Sequence, residues 1–512
     1  MSEILREVPG AIIINNPDGQ TMRSMAAKDE RTTVYGSPSY LTLVRSRSAK
    51  KTYVVEGNYQ IGAHQQSITQ AEAGRLAEEV QGYLKGKEVV RLDRRIGETA
   101  PWKYHCRLYI TKDFARIPLM WEKTLFPADD VDANPDFVSI FVPEWPERVI
   151  FVEPEAGICY ILGTDYFGEC KKSFLRMAMY RAKVNGGLGL HAGSKIIRVR
   201  GLGGGVQNVG FIMFGLSGTG KTTLTIHDHG LDDPEGVNIR QDDVVIMDAS
   251  GACFGTENGF FIKTEGLDES QRVLFKAATS PNAALENVLV AEDGSIDFSD
   301  VALTANGRGV ILRAETELTD DTIDIPRADR VIFITRRKDI VPAVARLNPA
   351  QAAASFMLGE SIETSAGDPT KAGQSKREVG TNPFIIGPEE EEGNRIYEIF
   401  KTNPEMECYL LNTGSVGFSD NFNGEKVTIK ATTEIMKQLA KGGIRWQLDA
   451  DWGYEVPVEM PGVDIGKYNP VRYYSDAEYL ARVAKLRSER RQWLDQFPGL
   501  HQDIKHALFP GE

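Results

Sequence analysis

The sequence predicts an α/β protein in two main parts, a mixed-sheet N-terminal domain and a C-terminal domain built round a phosphate loop. Three observations carry that expectation. At 512 residues the chain exceeds the size at which a single hydrophobic core keeps growing. From Val34 to about Phe151, short β-rich runs alternate with helical patterns. At Phe211–Thr225, FIMFGLSGTGKTTLT, an apolar run of strand character leads into a glycine-rich turn and the start of a helix.

The last stretch organises the rest. Gly215, Leu216, Ser217, Gly218, Thr219, Gly220, Lys221 and Thr222 match the phosphate-loop pattern in full, with Thr223 following. The glycines let backbone N–H groups curl round a polyphosphate, Lys221 reaches its outer phosphates, and the Thr222 hydroxyl holds a magnesium ion. A helix starting near Lys221 aims its positive end at the same anion. A glycine turn that only sharpens a strand-to-helix corner does not require the spacing, the lysine and the threonine together. The pattern implies a bound nucleoside triphosphate.

Hydrophobic residues make up 41% and charged residues 26% of the chain, an ordinary globular balance. A net charge of -13 argues against a general nucleic-acid or anionic-membrane surface. The opening MSEILREVPG lacks a basic region followed by an apolar one, and no apolar run reaches spanning length, so a cytoplasmic protein is expected. Cys106, Cys159, Cys170, Cys253 and Cys408 have no paired spacing and read as reduced core or pocket residues.

In chain order, residues 1–30 look polar and loosely specified. KTYVVEG from Lys51 has strand character, Thr69–Lys85 is an amphipathic helical pattern, and EVVRL from Glu88, CRLYIT from Cys106 and FVSIFV from Phe137 are further strands. GTDYFGECKKS, Gly163–Ser173, carries Glu169, Lys171 and Lys172 just ahead of a helical pattern at Phe174–Lys183. LHAGSKIIRVR follows, then RGLGGG, which is either a faint dinucleotide fingerprint or a hairpin turn before the phosphate-loop strand. Beyond the loop lie VNIRQDDVVIMD, hairpins through Lys263, LENVLV, a DG turn at Asp293-Gly294, and a strand in ADRVIFIT from Ala328. Glu360–Gly387 has no hydrophobic period and suits a lid or a disordered loop. Glu389–Glu392 suits a solvated acidic helix start. SDAE at Ser475–Glu478 suits a capping box opening a helix with apolar positions at Leu480, Val483 and Leu486.

A phosphate loop alone covers many chemistries, so other groups must narrow it. Asp242 and Asp243 are adjacent carboxylates, stable only near cations, and their hard oxygens suit magnesium or manganese. Asp248, at the end of the apolar VVIM, is an equal alternative as the strand-end carboxylate, and a solvated turn is the bland reading of either. Lys171-Lys172 is either surface charge or a lysine depressed in pKa into a neutral ligand or proton carrier. His191 is either a core histidine or a metal ligand. Arg47 and Arg308 are either surface charge or guanidinium forks for carboxylate or phosphate.

Taken together and in order, these segments resemble the ATP-using branch of the phosphoenolpyruvate carboxykinase family. FGLSGTGKTTLT is similar to its nucleotide loop almost letter for letter, Ser217 included. SRSAKKTYVV resembles its substrate loop, GTDYFGECKKS its tyrosine and double-lysine segment, LHAGSK its metal-histidine segment, and NIRQDDVV its double aspartate. LENV, GRG at 307–309, VARLNPAQAAASF, LLNTGSVG, KVTIKATT and MPGVDI resemble later segments, so the likeness spans roughly residues 35 to 475.

The resemblance implies reversible conversion of oxaloacetate and ATP into phosphoenolpyruvate, carbon dioxide and ADP. It implies manganese held by Lys172, His191 and Asp243, and ATP with its magnesium held by Lys221 and Thr222, with Asp242 behind. It puts Lys263 and Arg308 at the transferring phosphoryl group, Arg47 and Tyr166 at the dicarboxylate and departing carbon dioxide, and Lys426 and Thr432 near adenine or ribose. Residues 1–200 are expected to form the substrate domain and 201–512 the nucleotide domain, with the site in the cleft between and 360–387 as a lid. The implied molecule is a monomer or small homo-oligomer acting on small molecules, without nucleic acid or membrane. This chain departs from the family at VVIM after the aspartates, Gly307 before Arg308, AGSK after His191, and Lys426 where the family has arginine. Two other readings use the same residues: a small-molecule kinase with another acceptor, and a nucleotide-binding regulator without turnover.

Overall fold

A computed structural model describes residues 6–44, 48–216, 218–300, 306–362 and 374–510. Its contacts group the chain into two compact units. The first comprises Met1–Asn185, Phe254–Ile323 and Phe384–Pro388; the second comprises Gly186–Cys253, Asp324–Pro383 and Glu389–Glu512. A single cut at residue 200 differs from this grouping chiefly over Phe254–Ile323, which packs with the first unit.

The first unit is built on a nine-stranded mixed sheet. Phe137–Val142 lies at its heart, parallel to both Tyr104–Thr111 and Ile158–Leu162. Alternate side chains of a strand face opposite ways, and here both faces are covered. Val138, Ile140 and Val142 join a core with Ala73, Ala77, Val80 and Leu84 of the helix Gln70–Leu84. On the other face, Ser139 hydrogen-bonds Ser173 of the helix Phe167–Val184 at 2.9 Å, and Phe174 of that helix stacks on Trp121. Thr69 and Glu72 close a reciprocal capping box at the start of Gln70–Leu84. Burying Val80 and Leu84 contributes about 1.5–3 kcal/mol each, which exceeds the cap's typical ~1 kcal/mol.

A second sheet of this unit runs Phe260–Lys263, Arg308–Ile311, Ala284–Glu286, Pro38–Tyr40 and Glu30–Thr32. Residues 6–30 are more structured than their composition suggests. Ile12–Asn15 pairs in parallel with Glu88–Ile96, and Asp18 caps the helix Gly19–Ala26. Pairing with a strand some seventy positions away supplies what local sequence lacks.

The second unit carries an eight-stranded sheet. Its centre is three parallel strands, Val206–Gly215, Arg330–Thr335 and Glu407–Asn412. Their continuous apolar runs fit strands buried on both faces. Ala192–Arg200 pairs antiparallel with Val206–Gly215 from Ala192–Phe214 to Arg200–Val206. RGLGGG is therefore the hairpin turn between them, which rules out a dinucleotide loop. Helix Pro349–Leu358 starts at an Asn348–Gln351 capping box and ends at Gly359 with φ 43°.

Three local expectations need correction. Lys171 and Lys172 lie inside the helix Phe167–Val184, not in a turn ahead of it. Glu389 and Glu392 open the helix Glu389–Thr402 as expected but are buried, because that helix packs its first turn inward. Leu480 is exposed, while Val483 and Leu486 of Asp476–Leu494 are buried. Residues 363–373 of the expected lid lie outside the described residues, as do Arg47 and Ser217.

Candidate active site

The apolar strand Val206–Gly215 delivers the glycine loop to the end of the central parallel strands, and a short helix Lys221–Ile226 follows. Gly218 and Gly220 take φ values of 84° and 96°, a left-handed region that favours glycine. A Cβ on Gly215 would lie 2.5 Å from the Thr219 hydroxyl, so the turn closes only without a side chain there. Residues at neighbouring strand ends bind two of the loop's carbonyls. Arg336, just after Arg330–Thr335, donates to the Gly218 carbonyl at 2.7 Å. Thr413, just after Glu407–Asn412, donates to the Thr219 carbonyl at 2.7 Å. Sequence reasoning missed both residues, since neither belongs to the motif and only strand order brings them to it. Lys221 and Thr222 are partly exposed and Thr223 is exposed on the first turn of the helix.

Register brings a second group to the same end of this sheet. Ala192 pairs with Phe214, so His191 sits at the level of Gly215, and Gln241, opposite Ser194, leads directly into Asp242 and Asp243. His191 Nδ1 lies 2.6 Å from the Thr381 carbonyl. A carbonyl only accepts, so Nδ1 carries a proton, and Nε2 is the ring nitrogen left to face Asp243. That nitrogen lies 3.2 Å from Asp243 Oδ1. A shared cation satisfies both, as a second ring proton also would, and an imidazole–carboxylate donor set suits manganese. Asp242 and Asp243 are both buried. Asp248 is committed elsewhere: its Oδ1 accepts from Ser250 N, Ser250 Oγ and Ala252 N in a turn. Among the described residues, no three His, Cys, Asp or Glu side chains converge on a metal position.

Lys426, exposed on the two-residue strand Glu425–Lys426, and Thr432, buried in the helix Ile429–Lys441, belong to this unit too. The Thr432 hydroxyl donates within its own helix, to the Ile429 carbonyl at 2.9 Å.

In the first unit, cross-strand register aligns Lys263 with Arg308, Arg308 with Glu286, and Glu286 with Tyr40. Directly opposed residues share a face of the sheet. Arg308 Nε donates to the Tyr166 hydroxyl at 3.3 Å, and Lys263 forms an ion pair with Glu265. Tyr166 occupies the N-cap position of the helix Phe167–Val184 without a side-chain capping bond, and the helix's first backbone N–H donates to Glu286 at 2.9 Å. Burial pushes the Glu286 carboxyl up to about 7, against the opposing pull of Arg116. Asp165 accepts from the backbone N–H groups of Leu43 and Val44. Glu286 and Asp165 were not singled out in the sequence; only the LENV segment pointed toward the first. Lys172 Nζ lies 4.5 Å from the centre of the Phe384 ring.

The fold defines a mixed α/β protein with several sheets, and comparison with known proteins narrows it. The phosphoenolpyruvate carboxykinase family model matches residues 11–465. A phosphoenolpyruvate carboxykinase (ATP) of Aeropyrum pernix is 35% identical over 429 residues, covering 83% of this chain and 84% of that one. The protein of the same name from Mesorhizobium japonicum is 30% identical over 66% of this chain and 61% of its own. That of Parvibaculum lavamentivorans is 27% identical over 87% and 82%. The chain belongs to the phosphoenolpyruvate carboxykinase family, in its ATP-using branch, and is an enzyme of that family.

Proposed function

We propose that this protein converts oxaloacetate and ATP reversibly into phosphoenolpyruvate, carbon dioxide and ADP. The observation that carries the reading is the alignment of His191 and Asp243 with the glycine loop at one end of one sheet. Metal-side and phosphate-side chemistry thereby meet on a single scaffold.

Loss of carbon dioxide breaks a carbon–carbon bond and leaves an enolate. The enolate oxygen then bonds to the terminal phosphorus of ATP as the bond to ADP breaks. Catalysis of that transfer is mainly positioning and charge stabilisation. Loop N–H groups and Lys221 bind the polyphosphate, and Thr222, with Asp242 behind it, would hold magnesium. His191 and Asp243 would hold manganese, and the family likeness assigns Lys172 to the same ion. Such a cation supplies Lewis-acid stabilisation of negative charge on the substrate. By the family likeness Arg308 and Lys263 would act on the phosphoryl group; Tyr166 would orient Arg308 and, with Arg47, the dicarboxylate. Lys426 and Thr432 lie toward the nucleoside.

Residues 1–200 act mainly on the dicarboxylate and 201–512 mainly on the nucleotide, allowing for Lys263 and Arg308. The enzyme works in the cytoplasm as a monomer or small homo-oligomer, on small molecules rather than nucleic acid or membrane. No helix among the described residues is long and apolar enough to cross a membrane.

The test is a coupled assay with Mn²⁺ and Mg-ATP, with and without oxaloacetate. Oxaloacetate-dependent phosphoenolpyruvate is expected. Tight ATP binding without it would replace this reading with a kinase of another acceptor or a regulator without turnover.

A further inference from the structure

We propose that the strap Arg377–Thr381 positions the metal-side histidine, and that Glu360 is the residue on which the strap is anchored. The inference rests on the metal-site reading of His191 given above.

Thr381 is a β-branched residue with φ 53°. Such a residue in the left-handed region is strained by about 1–3 kcal/mol and persists only where its surroundings over-determine it. What this conformation achieves is the direction of its carbonyl, which accepts from His191 Nδ1 at 2.6 Å. The strap has no room to relax toward the helix Pro349–Leu358. A Cβ on Gly359 would lie 1.7 Å from the Glu378 carbonyl oxygen, and a Cβ on Gly380 would lie 2.6 Å from the Phe356 ring.

Its upstream end is tied by charge. Arg377 Nη2 donates to Glu360 Oε2 at 2.8 Å, Arg490 Nη2 to Oε1 at 2.9 Å, and Arg337 Nη1 lies 3.9 Å from Oε1. All four side chains are nearly buried, at 5% exposure for Glu360, 11% for Arg377, 4% for Arg490 and 7% for Arg337. Burial alone would raise the Glu360 carboxyl, yet Arg490, Arg337 and Arg377 together hold it well below the usual carboxylate range. Glu360 therefore stays ionised and fixes Arg377, four residues upstream of the carbonyl that orients His191. Loss of such an outer partner of a metal-binding histidine weakens metal binding by about ten- to a hundredfold.

The test uses the full-length protein with Mn²⁺ as the only added metal. Nitrogen-15 NMR reads the imidazole tautomers of the seven histidines without metal, with His191→Asn assigning the relevant signals. Electron paramagnetic resonance then counts free Mn²⁺. Wild type is expected to carry its His191 proton at Nδ1. Arg377→Met and Gly380→Ala are each expected to mix the tautomers and weaken Mn²⁺ binding about tenfold, while Arg377→Lys restores both. Wild-type tautomer and Mn²⁺ affinity in both variants, alongside lost Mn²⁺ binding in His191→Asn, would overturn the strap and leave the metal site standing. Wild-type Mn²⁺ binding in His191→Asn would remove the metal site instead, and the metal-free tautomer would still decide the strap.

Discussion

Lys171 Nζ and Glu257 Oε2 form a 2.8 Å ion pair in which both side chains are 1% exposed. The first lysine of the pair is thereby a buried structural cation, which leaves the proposed metal role to Lys172. Removing one partner of a buried pair strands the other charge, at a penalty of about 3–5 kcal/mol. Lys171→Ala is expected to lower the urea midpoint accordingly. Lys172→Ala, which removes the cation–π contact with Phe384, is expected to cost less stability than Lys171→Ala while abolishing Mn²⁺-dependent turnover. Equal destabilisation by the two variants would contradict this division of labour.

Lys221 heads the helix Lys221–Ile226 at the end of the glycine loop. A lost charge-stabilising donor typically lowers kcat by about 10²–10³. Lys221→Ala is expected to fall at least that far with an unchanged circular dichroism spectrum. Near-native phosphoenolpyruvate formation in that variant would remove the phosphate-loop assignment.

Arg336 lies outside the motif but holds the Gly218 carbonyl. A hydrogen bond from a charged group contributes about 1.5–3 kcal/mol, so its loss should be felt as a loosened loop. Arg336→Ala is expected to raise KM for ATP about tenfold or more with a smaller change in KM for oxaloacetate. A purely oxaloacetate-side defect would show that the loop does not depend on this contact.

Glu286 is raised by burial from an ordinary 4.5 to about 7. The folded state therefore binds more protons than the unfolded one between those values, and stability falls as pH rises through that window. The loss amounts to about 3 kcal/mol across it. Glu286→Gln cannot ionise and is expected to lose this contribution to the pH slope, so urea titrations of the two proteins from pH 4.5 to 7.5 should diverge by about that amount. Parallel curves would place the proton elsewhere.

Much of the fold was legible where one face of an element decides it. The helix Gln70–Leu84 and the strands Glu88–Ile96, Tyr104–Thr111 and Phe137–Val142 fall where local periodicity puts them. Ile12–Asn15 was missed because its order comes from a distant parallel partner. The buried Glu389 and Glu392 ran against composition, which reports average exposure and not the packing of one helix end. The choice between Asp243 and Asp248 was open in the sequence, since both flank the same apolar run. A turn closed on Asp248 and a histidine facing Asp243 separate them in space.

By itself the sequence determined the glycine loop, its lysine and threonine, and the order of the charge-bearing segments, because these depend on residue type and short spacing. Family membership followed from the same information. Only the tertiary structure decided that Arg336 and Thr413 hold the loop, that Lys171 pairs with Glu257, and that the Thr381 carbonyl faces Nδ1 of His191. Those relationships join positions far apart in the chain, and their energies arise from strand order, burial and hydrogen-bond direction, none of which is a property of a local stretch of sequence.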